Sequence, residues 1–573
     1  MGYDDIRMHI KGVFMNYSNK IPDKSTNINI SLFGGLNRRI KASVGEFSDM
    51  ENMGHGEYPC LSSTKNHKIM YSPGEEIIKY ITPKYSKKDI SGFTGIVKKS
   101  NGAYYVFFNG NETSASVQSF TDAIDFNGSI ITFPEFKGYN YIKNDNSSNA
   151  IGIKQYRNYN SFEIKNEGDS SDDYTIRINF TYNPSGNKPW QIFEVGQMLA
   201  FSGFSGVYEK NNTIYPETSQ DYSNTTSPVS ITVSEVSDTG YIYCIARNCK
   251  GERIQLQAGT FGSSENFPSG YIDLYVPKFD CICSHGNRLW IGSRNGEMVQ
   301  ASALGSPFEF YKLGVLSTDS WYAEVGTPGV FTGITSWQNR ILAFKEEWIH
   351  VIYGTEPSNF SLEKSYANGC ICKESIAGVA NSVIWLSHDG FYEYSGGVPK
   401  RISDKLNTKY VSCVAFGDIR RYFARCEKEN GEHELVIFDT ETGFWTKLSD
   451  FEIKGGEQSG DKVYIYDSEN VYILGGGEHG NFFAETVTMD FGSFRDKSLV
   501  YLQIRCIMGE DAFLNIYTAV DDGEWIPHKG IDKGGKHKLP IRYNSGDTLR
   551  IRFEGNGEVH IMDAELMMNS DGN

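Results

Sequence analysis

The sequence predicts an all-β protein: a β-propeller of six to eight blades with an inserted small β-barrel domain, followed by a C-terminal β-sandwich. Three observations carry this. First, a turn followed by an apolar run recurs between 285 and 480 at intervals of 52, 42, 39 and 40 residues, counted from Asn287 through Asn339, Asn381 and Arg420 to Gly460. A period near 40 with three or four short strands per unit is the mark of propeller blades. Second, aromatic residues make up 14% of the chain, 59 residues are Gly and only 17 are Pro, which suits short strands and tight turns. Third, after Gly480 the pattern changes to alternation at spacings of about 8 to 12 residues, as in a β-sandwich.

Taken in order, residues 1–60 form an N-terminal arm and 61–145 the first part of the propeller. There "SNGAYYVFFNGNETSASVQ" and "DFNGSIITFPEFKGYNYIKN" read as two early copies of the unit. Residues 146–277 break the period. Their polar runs "KNDNSSN", "NEGDSSDD" and "YSNTTSPVS" do not suit a blade core, and "FEVGQMLAFSGFSGVYEK" with "SPVSITVSEVSDTGYIYCIA" reads as a small barrel. Residues 278–480 resume the propeller with "HGNRLWIGSRNGEMVQ", "SWQNRILAFKEEWIHVIYG" and "ANSVIWLSHDGFYEYSGG". A single blade cannot bury both of its faces, so copies must stack. Residues 481–573, with turns at Asp-Asp-Gly, Ser-Gly-Asp and Gly-Asn-Gly, are expected to fold as a separate sandwich.

A formal net charge of −16 and a pI near 5.3 argue against general affinity for phosphate backbones, which depends on Lys and Arg displacing counterions. No window approaches the roughly 18 apolar residues of a membrane helix. The opening "MGYDDIRMHIKG" lacks the apolar run of a signal peptide, so no membrane insertion is expected. Ten cysteines are scattered, with C-x-C spacing at Cys281/Cys283 and Cys370/Cys372. No second pair or His cluster completes a four-ligand metal set, and buried thiols are expected.

Chemical motifs fail on context. "GGGEHG" (475–480) fits G-x-G-x-x-G but runs into a strand pattern, where a dinucleotide site needs a helix. Asp490-Phe491-Gly492 mimics a kinase motif without its catalytic loop. His285, His388 and His479 fall in blade turns, where solvated imidazoles are expected, and Glu346/Glu347 and Asp521/Asp522 are adjacent exposed acids. A glycosidase acid pair drawn from different blades would leave no local trace. No catalytic residue, cofactor or metal is assigned.

Three parts of the chain carry a family resemblance. "SLFGGLNRRIKASVGEFSDMENMGHGEYPCLSSTKNHKIM" (31–70) resembles the opening of bacteriophage tail-hub, or packaged-DNA stabilisation, virion proteins. "NRLWIGSRNGEMVQASALGSPFEFYKL" is similar to their blades in its Ala-Ser-x-x-Gly-x-Pro-x-x-Phe ending, and the C-terminal sandwich looks like theirs. The resemblance implies a non-enzymatic structural protein of the virion tail: a hub or nozzle that forms a hexameric ring below the portal and adaptor. It would contact tail fibres or spikes and pass double-stranded DNA without binding it specifically. An acidic wall suits that role, since a like-charged lumen does not hold the genome. Phe33, Leu36, Phe47, Met50, Tyr58 and Leu61 then mark a segment expected to close the ring or clasp a neighbouring subunit. The competing expectation is a receptor-binding, glycan-recognising tail protein, with Trp525 and Tyr543 as stacking platforms in the sandwich.

Overall fold

The computed structural model describes residues 26–570 apart from 41, 57, 85–91, 135–137, 143–155, 158–161, 182–187, 203–228, 257, 262–270, 493 and 542–544. Antiparallel sheets dominate it. Seven follow one another as blades. Blade one is Glu76–Tyr80, Gly95–Lys98, Tyr104–Phe108 and Asn111–Val117. Blade two is Asp122–Phe126, Ser129–Phe133 and Gly138–Asn140. Blade three is Phe279–His285, Arg288–Ser293, Met298–Ala301 and Trp321–Glu324. Blade four is Phe331–Trp337, Arg340–Lys345, Trp348–Tyr353 and Ser361–Ala367. Blade five is Ala377–Val379, Ser382–Ser387, Gly390–Tyr394 and Lys400–Arg401. Blade six is Tyr410–Gly417, Arg421–Lys428, His433–Asp439 and Phe444–Leu448. Blade seven is Gly455–Ser459, Lys462–Tyr466 and Val471–Ile473, completed by Lys68–Tyr71.

The repeat anchors are the hairpin turns between the first and second strands. Several turn residues there adopt positive φ: Asn127 (49°), Asn287 (59°), Gln338 (51°), Ala380 (49°) and Gly460 (62°). Tight hairpin turns of this hand match the twist of the strands they join. The apolar run after each turn is the second strand, which is buried on both faces. In Arg340–Lys345, Ile341 and Ala343 pack towards blade three while Leu342 and Phe344 pack towards blade five. In Ser382–Ser387, Val383 and Trp385 face blade four and Ile384 and Leu386 face blade six. Period-two alternation thus puts one strand into two cores, which is why the run looks continuously apolar.

Every interface between neighbouring blades has its own apolar core. Between blades seven and one, Tyr466 and Val471 meet Ile77, Phe93 and Val97, so the ring is closed. Inner strands approach closely enough to need glycine. A Cβ at Gly417 of blade six would stand 2.2 Å from the carbonyl oxygen of Gly378 in blade five.

The inserted domain leaves blade two after its third strand and returns at blade three. Its six-stranded and three-stranded sheets enclose a core of Phe162, Ile178, Trp190, Phe201, Ile231 and Ile272. Gln197 Nε2 donates to the buried Glu309 carboxylate of blade three at 2.7 Å, and Lys312 reaches Glu194 at 2.9 Å. The blade ending quoted above builds this joint: Phe308 and Phe310 are buried against blade two, and Ser302 Oγ accepts from Leu289 N–H at 3.0 Å.

The C-terminal sandwich departs from expectation. It is not a separate unit, because the N-terminal arm supplies strands to both of its sheets. Thr26–Ile30 and Leu61–Ser63 pair with Val559–Ser570, and Phe47–Glu51 pairs with Asn481–Thr486. Met53 also pairs with Lys447 of blade six, so a ten-stranded sheet runs from blade six into the sandwich. One apolar core spans blades five and six and the sandwich, with Met50, Leu61, Tyr422, Leu502 and Ile561 among its members.

The His350 imidazole of blade four is fully buried between Thr327 Oγ1 (2.9 Å) and Ser365 Oγ (2.8 Å). Burial, aided by the nearby Lys345 ammonium, pushes its pKa down to about 4. From pH 6.5 down to about 4 the native state therefore binds fewer protons than the unfolded chain, so stability falls as pH falls through that window. Urea unfolding should show about 2 kcal/mol less stability from this group at pH 5 than at pH 7.5. A His350→Gln variant should lack that part of the acid loss; an unchanged acid slope would refute it.

Candidate functional site

The first strands of the blades line the propeller axis, and a cavity of about 520 Å³ lies among them. Its wall combines Ile78, Ile282, Ile334 and Ile376 with the charged Lys79, Asp122, Lys373, Glu374 and Lys454. The Asp122 carboxylate of blade two accepts a short hydrogen bond from Lys79 Nζ of blade one. Lys373, from the turn before blade five, reaches the same carboxylate across the axis at 3.9 Å. Burial opposes ionisation of Asp122, but the two ammoniums outweigh it and hold the pKa below the usual carboxylate range. Lys454 is paired with Glu76 at 3.2 Å.

Two other axial acids shift the opposite way. Burial raises the pKa of Glu457, which accepts from Thr82 N–H at 2.9 Å, and that of Asp125, which accepts from Lys84 N–H and the Tyr141 hydroxyl at 2.8 Å each. Glycoside hydrolysis needs one acid that gives up a proton and one free carboxylate flanking the scissile bond. Asp122 is ionised but bound to two lysines, and Glu457 and Asp125 are tied to backbone amides. Sequence reading missed this group because Lys79, Asp122, Lys373 and Glu457 come from different parts of the ring and share no local pattern.

A larger cleft, about 860 Å³, lies where blades six and seven meet the N-terminal arm. Its floor includes Phe423, Ile437, Leu448, Val463 and Leu474. Two arginines on its rim are matched within the chain: Arg420 pairs with Asp439 at 2.6 Å and Arg421 with Asp418 at 2.8 Å. His479 shares a hydrogen bond with Ser63 Oγ at 3.0 Å.

The residues expected to close the ring or clasp a neighbour are used inside the chain. Phe33, Leu36, Phe47, Met50 and Leu61 are all 2% exposed or less and belong to the core joining blade six to the sandwich. The propeller itself is closed by Lys68–Tyr71, just downstream. Tyr58 is half-exposed, in an aromatic group with His55 and Phe444 at 6.2 and 6.0 Å. Trp525 carries the Arg550 guanidinium 5.0 Å from its ring centre, so part of the proposed stacking surface is occupied. Tyr543 lies outside the described residues.

"GGGEHG" forms a loop between Val471–Ile473 and Asn481–Thr486, with no helix after it. Asp490 Oδ1 accepts from Gly492 N–H at 2.9 Å in a local turn. The imidazoles of His285 and His479 are partly buried, where solvated ones were expected; His388 is exposed beside Glu346 and Glu347. Cys281 and Cys370 are buried thiols, and burial raises both pKa values to about 12. No helix among the described residues is long and apolar enough to cross a membrane.

No family model matches the chain, and no curated protein matches it. Among solved structures it is similar to the exo-β-1,3-galactanase of Phanerochaete chrysosporium, at 9% identity over 50% of this chain and 96% of that one, with a TM-score of 0.22. It is also similar to the WD40 domain of SCAP from fission yeast, at 9% identity over 87% and 94%, TM-score 0.25. A glycoside hydrolase family 43 arabinoxylan arabinofuranohydrolase from Bacillus subtilis matches at 8% identity over 86% and 99%, TM-score 0.17. Likenesses this distant carry no activity over to this chain.

Proposed function

We propose that this chain is a structural component of a bacteriophage tail, a hub or nozzle subunit that assembles into a ring below the portal and adaptor. The reading rests on the resemblance of residues 31–70 and 287–313 and of the terminal sandwich. The structural observation that carries it is the pairing of the axial carboxylate Asp122. Lys79, Asp122 and Lys373 tie three distant parts of the chain together where a propeller enzyme would hold free acids. Such bridging makes the propeller a rigid block.

The same pairing bears on where DNA would travel. The major groove of a duplex alone is about 12 Å wide, and the Lys373–Asp122 ion pair crosses this axis, so the path would run between copies of the chain. The net charge of −16 fits a wall past which a polyanion slides. Negative-stain imaging of purified protein should show an annulus with an open lumen. A monomer that binds polysaccharide and does not self-associate would overturn the reading.

A further inference from the structure

The acidic chain carries a concentrated basic strip near its C-terminus. "HKGIDKGGKHKLPIR" (528–542) includes Lys529, Lys533, Lys536, Lys538 and Arg542 against a single acid, Asp532. Its centre is the strand Gly535–Pro540, which pairs on one side with Lys497–Met508 and ends the ten-stranded sheet. Lys533, Lys536 and Lys538 are exposed, and among the described residues none forms an ion pair. Lys538 lies over the Tyr501 ring at 3.8 Å. In register, Lys536 stands directly opposite Arg505, which Asp563 reaches at 3.3 Å.

Lysines on an edge strand discourage unwanted strand pairing. That task does not need a cation opposite a cation, an arrangement that destabilises a sheet. The strip therefore suits an acidic partner, and in a chain of net charge −16 another copy is a ready source of one. A complementary feature stands on a different domain. At the hairpin tip between Phe162–Glu167 and Thr175–Phe180 of the inserted domain, Asp169, Asp172 and Asp173 are exposed, and among the described residues they form no ion pair.

We propose that the basic edge Lys533–Lys538 of one copy docks against the acidic hairpin tip Asp169–Asp173 of the next. This deepens the ring reading and rests on it. The two surfaces differ, so the contact is head-to-tail, the type that closes into a ring when the rotation permits. Its charges steer and orient association, and their attraction is screened by salt.

Sedimentation of the full chain at low salt and at about 1 M salt, where the Debye length is about 3 Å, tests it. Combining Lys533→Glu, Lys536→Glu and Lys538→Glu should weaken low-salt self-association on the order of tenfold or more. Adding Asp169→Lys, Asp172→Lys and Asp173→Lys should restore it, with circular dichroism unchanged throughout. If the wild type assembles and the lysine variant assembles equally well, this contact is wrong while the ring reading stands. A wild type that stays monomeric at every concentration and salt removes the ring reading and the contact with it. A duplex oligonucleotide followed by fluorescence anisotropy provides the last arm. Binding that the lysine variant loses, with self-association unchanged, would assign the strip to DNA and overturn the proposal.

Discussion

Replacing Arg288 by methionine should destabilise the protein by about 3–5 kcal/mol and release the long loop of blade three. This arginine is 1% exposed, and its guanidinium is used almost wholly on backbone. It donates to the carbonyls of Ser302 at 2.7 Å, Asp319 at 2.6 Å and Ser317 at 2.5 Å, fastening both ends of the 302–320 segment. Ser302 and Asp319 are buried, so losing their donor leaves two buried acceptors unmatched, while Ser317 is exposed and its carbonyl can turn to water. Lysine should rescue little, because a single ammonium cannot present the planar fork that reaches three carbonyls. Urea unfolding gives the magnitude, and limited proteolysis should cut first within 302–320. A stable, protease-resistant Arg288→Met variant would show that the loop is held by its apolar anchors Phe308 and Phe310 instead.

The second large effect is expected at the join between propeller and sandwich. Arg38 of the N-terminal arm grips Glu434 of blade six with two hydrogen bonds, at 2.9 and 3.0 Å, while Tyr410 donates to the same carboxylate and Lys428 lies at 3.3 Å. Glu434 is 5% exposed, and these partners outweigh burial to bring its pKa down to about 2. Its native pKa is depressed, so the stabilisation is complete above about pH 4.5 and is lost as pH falls towards 2. Glu434→Gln should cost about 3 kcal/mol at pH 7 and remove that part of the acid sensitivity. A paired Arg38→Met/Glu434→Leu change should recover much of the loss, since no charge is then stranded. If the single and double variants unfold alike in urea, the clamp is not what holds the arm.

The propeller was legible because its signals are local. Asn127, Asn287, Asn339, Asn381 and Gly460 each fall in the first hairpin turn of a blade, and the apolar run that follows is buried on both faces. What the sequence concealed is long-range. Lys68–Tyr71 carries no mark of belonging with Val471–Ile473, because strand pairing needs only an edge of the right length. Phe33, Leu36 and Phe47 were rightly singled out as apolar residues with a task, but composition cannot say whether an apolar segment covers its own chain or another. The axial group was invisible for the same reason: Lys79, Asp122 and Lys373 meet only once the ring is formed. Arg288 stood in plain view beside the repeat anchor Asn287, as Arg340 does beside Asn339, yet the loop it holds is particular to blade three.

The way blade seven is completed has a bearing on biosynthesis. Lys68–Tyr71 leaves the ribosome early and waits for a partner made about 400 residues later. Throughout that delay the nascent chain exposes unsatisfied backbone donors and acceptors, a template for any passing strand. When several chains mature side by side, the waiting strand of one could complete the last sheet of another, and the exchanged pair would be linked without a single new contact type.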